Sequence, residues 1–323
     1  FDDSIITCSY LAGKESDESS DVITKAIEAG NTIIFTTSPK LLNLSVKAAL
    51  KHPSIRILNC SLNSCLGHLR TYYGRMYEAK FLTGILAGIL SPETSIGYLA
   101  DYPIYGSTAS INAFALGVRM VNPEARIYLE WSCVKDNRIA EYFDARHISY
   151  VSGQDLLTPG HGSRQFGLYD VRGGNITNVA MPVWHWGKFY ERIINSILNG
   201  TWNKGTTQKK DKSINYFWGM SSGMIDLILS NHIPSNTQQL IELIKGQISA
   251  GTFHPFSCEM YSQDGTLQNA KGSVLAEYQI GSMDWLLDNV YGSFPAFETL
   301  TEEAKRIVRL QGVGKYQELG EIR

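Results

Sequence analysis

GRMYEAKFLTGILAGIL (Gly74–Leu90) is followed four residues later by SIGYLADYPIYGSTASINAFALGVRMVNPEARIYLEW (Ser95–Trp131). The first stretch predicts a helix over Met76–Leu90. The second predicts a strand over Ile96–Ala100, a loop of polar and aromatic residues, a helix capped by Ser107 or Thr108 and running to Met120, and a strand over Arg126–Trp131. Helix and strand alternate, and loops that follow strands in such patterns are where α/β proteins hold small molecules. The stretch therefore indicates both a fold class and the position of a ligand site.

The same rhythm extends to either side. SIITCSY (Ser4–Tyr10) reads as a strand, and Gly13–Asp21 as a polar loop. Val22–Ala29 reads as a helix closed by Gly30. Thr32–Thr37 is rich in β-branched residues and reads as a strand. Ser38-Pro39 offers an N-cap and a first-turn proline for a helix to Lys51, and Ile55–Asn59 is the next strand. Further on, Asn137–Arg146 reads as helix and Ile148–Ser152 and Val179–Val183 as strands. Trp186, Phe189, Tyr190, Ile193, Ile194, Ile197 and Leu198 recur at three- and four-residue steps, one apolar helical face ended by Asn199-Gly200. Leu240–Ile248 predicts a helix, Gln263-Asp264-Gly265 a hairpin turn, and Thr301–Val308 a last helix. Repeated βα units argue for parallel sheets flanked by helices.

Composition narrows the function classes. At 323 residues the chain exceeds one ordinary core and suggests two lobes. The net charge is -2, and no basic stripe with interleaved aromatics marks a nucleic-acid face. KKDK (Lys209–Lys212) reads as a solvated turn. The longest apolar run, Phe81–Leu90, falls short of the roughly 20 residues a bilayer span needs. Gly84 and Gly88 within it read as close packing of the helix on a sheet. The five cysteines, Cys8, Cys60, Cys65, Cys133 and Cys258, are odd in number and mostly sit in apolar, strand-like contexts, which suits reduced, buried thiols. The seven histidines show no metal-ligand spacing, and His161 in TPGHGSR fits no phosphate-loop pattern, so neither metal nor cofactor is expected.

Four segments together, GRMYEAKFLTGILAGIL, IGYLADYPI, INAFALGVRMVNP and MPVWHWGKFYERI, resemble the basic membrane protein family, the PnrA-like purine-nucleoside-binding proteins of bacterial ABC transporters. The resemblance runs from about Val22 to about Gly292 and is strongest between Tyr72 and Trp131. It implies a two-lobed type I periplasmic-binding-protein fold. Lobe I would comprise residues 1–93 and 184–230, and lobe II residues 94–183 with part of 231–323, the chain crossing near Ser91–Ser95 and Pro182–Trp186. Relatives open with a strand and helix bearing an Asp-rich loop. Here the chain begins at what corresponds to the second strand, and Cys8 lacks the context of a lipid-anchor cysteine. The resemblance implies an ABC permease as partner; some relatives instead fuse an N-terminal ParB-like module to this domain, which would make it a ligand sensor. The family places such a protein at the cell surface, while the cysteines and the missing anchor context favour the cytoplasm.

A nucleoside asks for an aromatic face for its base and a carboxylate for its ribose hydroxyls. The predicted strand ends carry such groups: Thr36 and Thr37; Asp101, Tyr102 and Tyr105; Gln154 and Asp155; Trp184 and Trp186. Asp226, in GMSSGMIDL, matches the acid of the family's Gly-Gly-Val-Asp-like loop. Each also has a structural reading. Asp101, Asp155 and Asp226 fit helix caps, Trp186 opens an apolar helix face, and Arg75 with Glu78 fits an ordinary surface pair. The expected function is non-catalytic binding of a purine nucleoside in the cleft between lobes. The alternative is a nucleoside hydrolase or phosphorylase, against which stands the lack of clustered aspartates or a paired nucleophile and base.

Overall fold

The computed structural model describes residues 20–61, 69–153, 167–174, 176–202 and 214–316. The strand expected at Ser4–Tyr10, Cys8, Cys65, His161, the KKDK turn, Gln154 and Asp155 lie outside these residues. The chain divides into two units, Phe1–Tyr73 with Lys210–Tyr216, and Gly74–Lys209 with Phe217–Arg323.

In the first unit α1 (Ser20–Glu28) precedes β1 (Ile33–Thr36), α2 (Leu42–Lys51), β2 (Arg56–Cys60) and β3 (Leu69–Gly74). Strands β1, β2 and β3 are parallel neighbours. Leu42 and Ala49 of α2 pack on Ile57 and Leu69 of the sheet, as an amphipathic helix over parallel strands should. The helix expected from Ser38-Pro39 starts with a 3-10 turn over Pro39–Leu41 before α2 begins. Among the described residues the sheet order is β1-β2-β3-β9, β9 being Tyr216–Trp218.

The second unit holds α3 (Met76–Leu90), β4 (Ser95–Ala100), α4 (Ser107–Val121), β5 (Arg126–Trp131), α5 (Ile139–Asp144), β6 (Tyr150–Ser152), β7 (Leu168–Asp170), β8 (Thr177–Trp184) and α6 (Trp186–Leu198). After β9 come β10 (Ile225–Leu229), α7 (Ser235–Ala250), β11 (Met260–Tyr261), β12 (Leu267–Asn269), α8 (Glu277–Gly281), β13 (Val290–Tyr291) and α9 (Glu302–Gln311). Among the described residues its main sheet has the order β10-β8-β7-β6-β4-β5-β13. Strands β6, β4, β5 and β13 are mutually parallel, while β7 is antiparallel to both β6 and β8, and β10 is antiparallel to β8. Two antiparallel steps restore direction, so β8 runs with β6, β4, β5 and β13. The sheet is thus parallel on one side and mixed on the other.

Helix α3 is buried from Met76 to Gly88 without a break, Glu78 and Lys80 included. Its glycines face helix α4 rather than the sheet. A Cβ on Gly84 would overlap the Phe114 carbonyl, and one on Gly117 would overlap the Phe81 carbonyl. At Gly88 a Cβ would come within 2.7 Å of Val121. The G-x-x-x-G spacing therefore lets two helix backbones touch, because only hydrogen leaves room there. Helix α4 is capped not by Ser107 or Thr108 but by Gly106, whose φ of 85° is left-handed. Ser107 Oγ instead donates to the Ile104 carbonyl at 2.8 Å. The hairpin and the last helix form as expected, with Gly265 at positive φ and Thr301 Oγ1 accepting from the Ala304 amide.

Candidate functional site

Five strands of the second unit that run the same way end on one edge of the sheet. β8 ends at Trp184, β6 at Ser152, β4 at Ala100, β5 at Trp131 and β13 at Tyr291. The residues that follow line that edge, the place where open α/β sheets bind ligands. Asp101, Tyr102 and Tyr105 are there, with Asp101 buried and the two tyrosines half-buried. Ser132 follows β5, its amide donating to the Ala100 carbonyl at 2.9 Å. Trp184 is half-buried against Gly74, where a Cβ would stand 3.2 Å from the indole. Trp186 turns into its own helix, stacked on Tyr190 at 6.2 Å and edge-on to Phe189.

Asp226 sits on strand β10 opposite Val183, next to the pair Ile225 and Trp184. Its carboxylate accepts from the Leu227 amide at 2.8 Å and pairs with Lys245 at 3.2 Å, and His185 Nε2 stands 3.8 Å away. Partial burial pushes the carboxyl up, but the Leu227 amide, Lys245 and His185 outweigh it and hold the group below the usual range. In the first unit Thr36 Oγ1 is buried and bonded to Ser45 Oγ at 2.9 Å and to Asn59 Nδ2 at 2.8 Å, while Thr37 is exposed. On this edge Asp101, Tyr102 and Tyr105 follow β4, Trp184 ends β8 three strand positions away, and Asp226 lies on the neighbouring β10. Gln154 and Asp155 follow β6 in sequence, beyond the described residues.

Two charged groups on α3 reach this region: Lys80, which no sequence signal announces, and Glu78, which the sequence offers as half of a surface pair. Lys80 is fully buried. Its Nζ donates to Ser152 Oγ at 2.9 Å and to the Gly153 carbonyl at 3.2 Å, and lies 5.0 Å from the centre of the Tyr98 ring. The Glu78 carboxylate accepts from the Met220 amide at 2.6 Å and lies 3.8 Å from Arg75. Burial pushes it up to about 7, against the lowering effects of the Met220 amide and Arg75. With Glu78 only 3% exposed, this is no ordinary surface pair. Arg75 also pairs with Glu277. Their helix is apolar on every side, so periodicity alone does not single these two residues out.

The C-terminal segment covers the β4 end of the same edge. The Tyr105 amide donates to the Gln311 carbonyl at 3.0 Å, Val313 to the Pro103 carbonyl at 3.1 Å and Gly106 to the Gly281 carbonyl at 3.2 Å. Beside these contacts lies a cavity of about 330 Å³ lined by Asp284, Ser293, Phe294, Val313, Gly314 and Tyr316. Burial and then the charge of Asp284 push the Tyr105 phenol up. Among the described residues no group of His, Cys, Asp or Glu is placed to hold a metal ion, and no helix is long and apolar enough to cross a membrane. Cys60 and Cys133 are free and buried, each thiol pushed up to about 12 by burial.

Comparison with known proteins bears out the resemblance read from the sequence. A family model described as ABC transporter substrate-binding protein PnrA-like matches residues 3–154. A purine-binding protein of Brucella abortus is 26% identical over 289 residues, which cover 84% of this chain and 79% of that protein. A protein of Haloferax volcanii described as an ABC transporter glucose-binding protein is 27% identical over 246 residues, covering 70% of this chain and 56% of that one. Among solved structures, an ABC transporter solute-binding protein from Conexibacter woesei superposes with a TM-score of 0.55 at 12% identity, over 76% of this chain and 86% of that one. That likeness is one of fold, sheets of largely parallel strands flanked by helices.

Proposed function

We propose that the chain binds a purine nucleoside at the carboxyl edge of the main sheet of its second unit and releases it unaltered. The observation that carries this reading is the convergence of five strand ends on one edge that holds Asp101, Tyr102, Tyr105 and Trp184. Aromatic rings offer a stacking face worth about 1–3 kcal/mol per base, and a carboxylate accepts short bonds from sugar hydroxyls. The name of the Brucella abortus relative supports a purine ligand. The match to a substrate-binding family supports delivery to an ABC permease and a role without catalysis.

Calorimetry of the purified chain with adenosine, guanosine, inosine, adenine and glucose tests the reading. One nucleoside should bind at one site per chain with a micromolar or tighter constant, about −8 kcal/mol. Heat from glucose alone would overturn it in favour of a sugar. Heat from free base with none from any nucleoside would remove the ribose from the proposal. Chromatography after prolonged incubation should return the nucleoside intact; free base in the eluate would make the chain a hydrolase.

A further inference from the structure

The turn between β9 and β10 is tied to helix α3 by a buried carboxylate. Glu78 accepts from the Met220 amide at 2.6 Å and fits against Gly219, where a Cβ would overlap it. The turn is closed by its own backbone: the Gly223 amide donates to the Met220 carbonyl at 2.9 Å and the Met224 amide to the Gly219 carbonyl at 3.2 Å. At its far end the Met224 carbonyl accepts from the His185 amide at 2.7 Å, and Ile225 pairs with Trp184 across β10 and β8. Gly74, at the start of the same helix, leaves room for Ile225 and the Trp184 indole, which a Cβ would meet at 2.8 and 3.2 Å. A continuous run of contacts thus leads from Glu78 through residues 219–224 to the strand end that presents Trp184. Among the charged neighbours, Arg75 stands 3.8 Å from Glu78, lies over the Phe217 ring and also pairs with Glu277. Tyr77 and His254 are hydrogen-bonded at 3.3 Å, and burial holds the phenol above and the imidazole below its ordinary range, so both are neutral at pH 7. Lys188 of α6 comes near Gly223, and Lys245 of α7 is taken up by Asp226 and Glu242. Either form of Glu78 can accept from the Met220 amide. The ionised one does so in a charge-assisted bond about twice as strong, and it alone pairs with Arg75. Burial pushes the group up to about 7, so both forms are populated near neutrality.

We propose that Glu78 is a positioning residue for the nucleoside site: its ionised carboxylate clamps the 219–224 turn, the turn holds Trp184 where the base stacks, and proton uptake at Glu78 loosens the hold on the ligand. The inference rests on the nucleoside-binding reading above. One proton then acts on the fold and on the site in opposite senses. Ionising a buried carboxylate lowers the stability of the folded chain. The same ionised group orders the turn beforehand and so reduces the ordering cost that ligand binding must meet.

The test is calorimetry of the whole chain with adenosine, guanosine and inosine from about pH 5.5 to about pH 8.5, with urea unfolding at the same pH values. Affinity for the nucleoside that binds should rise about threefold or more across this range while the unfolding free energy falls. Glu78→Gln, a neutral acceptor of the same size, should bind at every pH as the unaltered chain does at the acid end. Its effect should vanish in a chain that already carries Trp184→Ala, because the clamp acts through that ring. The pH series on the unaltered chain needs no variant, so it decides the sign even where a substituted chain fails to fold. Affinity that falls together with stability as pH rises would reduce Glu78 to a structural role and overturn the proposal. So would a pH slope retained in folded Glu78→Gln, which would assign the titration to another group such as His185. Nucleoside binding that is independent of pH leaves the function standing and overturns the coupling alone. If the unaltered chain binds no nucleoside, the functional reading fails and the coupling falls with it.

Discussion

Glu78 is enclosed by its own helix and by the 219–220 turn, where a Cβ on Gly219 would overlap its carboxylate. Its folded value of about 7 stands above the ordinary 4.5. Between those limits the folded chain keeps a proton that the unfolded chain has released, so stability is greatest below about 4.5 and falls as pH rises toward 7. A shift of this size corresponds to about 3 kcal/mol. Urea unfolding measured from pH 4.5 to 7.5 should show this decline, and Glu78→Gln should flatten it; an unchanged slope in the variant would assign the titration elsewhere. At the sheet edge, Trp184→Ala should weaken nucleoside binding about tenfold, close to 1.4 kcal/mol, with little change in the unfolding midpoint because the ring is only half-buried. Titration calorimetry on the two forms decides it.

Helices α3 and α4 meet backbone to backbone, and the contact can be tested at single positions. Gly84→Ala and Gly117→Ala each push a methyl into a fixed carbonyl and should cost about 1–3 kcal/mol or more. Gly246→Ala, on the exposed side of α7 with nothing within 4 Å, should instead add about 0.5–1 kcal/mol. Chemical denaturation of the three variants compares them directly. The bounds of α3 and β5 are legible residue for residue, because a long apolar helix and a strand alternating polar with aliphatic and aromatic residues carry their own punctuation. β3, LRTYYG, is not, since it mixes polar and aromatic residues and owes its extended form to pairing with β2. β10 carries no such signal: it begins within the GMSSGMIDL stretch that resembles a family loop, and its five residues become a strand through antiparallel pairing with β8. The strand-end candidates Asp101, Tyr102 and Tyr105 could be read from local order alone. Asp284 and Phe294 could not, because they reach the same edge only through the tertiary course of the C-terminal segment.

A ligand that binds only the folded chain stabilises it by mass action, about 2.7 kcal/mol at one hundred times its dissociation constant. Saturating nucleoside should therefore raise the thermal midpoint by a few degrees, and Trp184→Ala should lose most of that rise at the same concentration; scanning calorimetry reads both. The second unit also carries a built-in clock. Lys80 offers no surface to solvent, yet it is an amine like the exposed Lys51 and Lys271. An acylating reagent would tag those lysines within its mixing time, and Lys80 only when α3 lifts from the strand ends beneath it. The mass-spectrometric label on that one nitrogen would then count openings of the interior, and a bound solute that holds the edge together would slow the count.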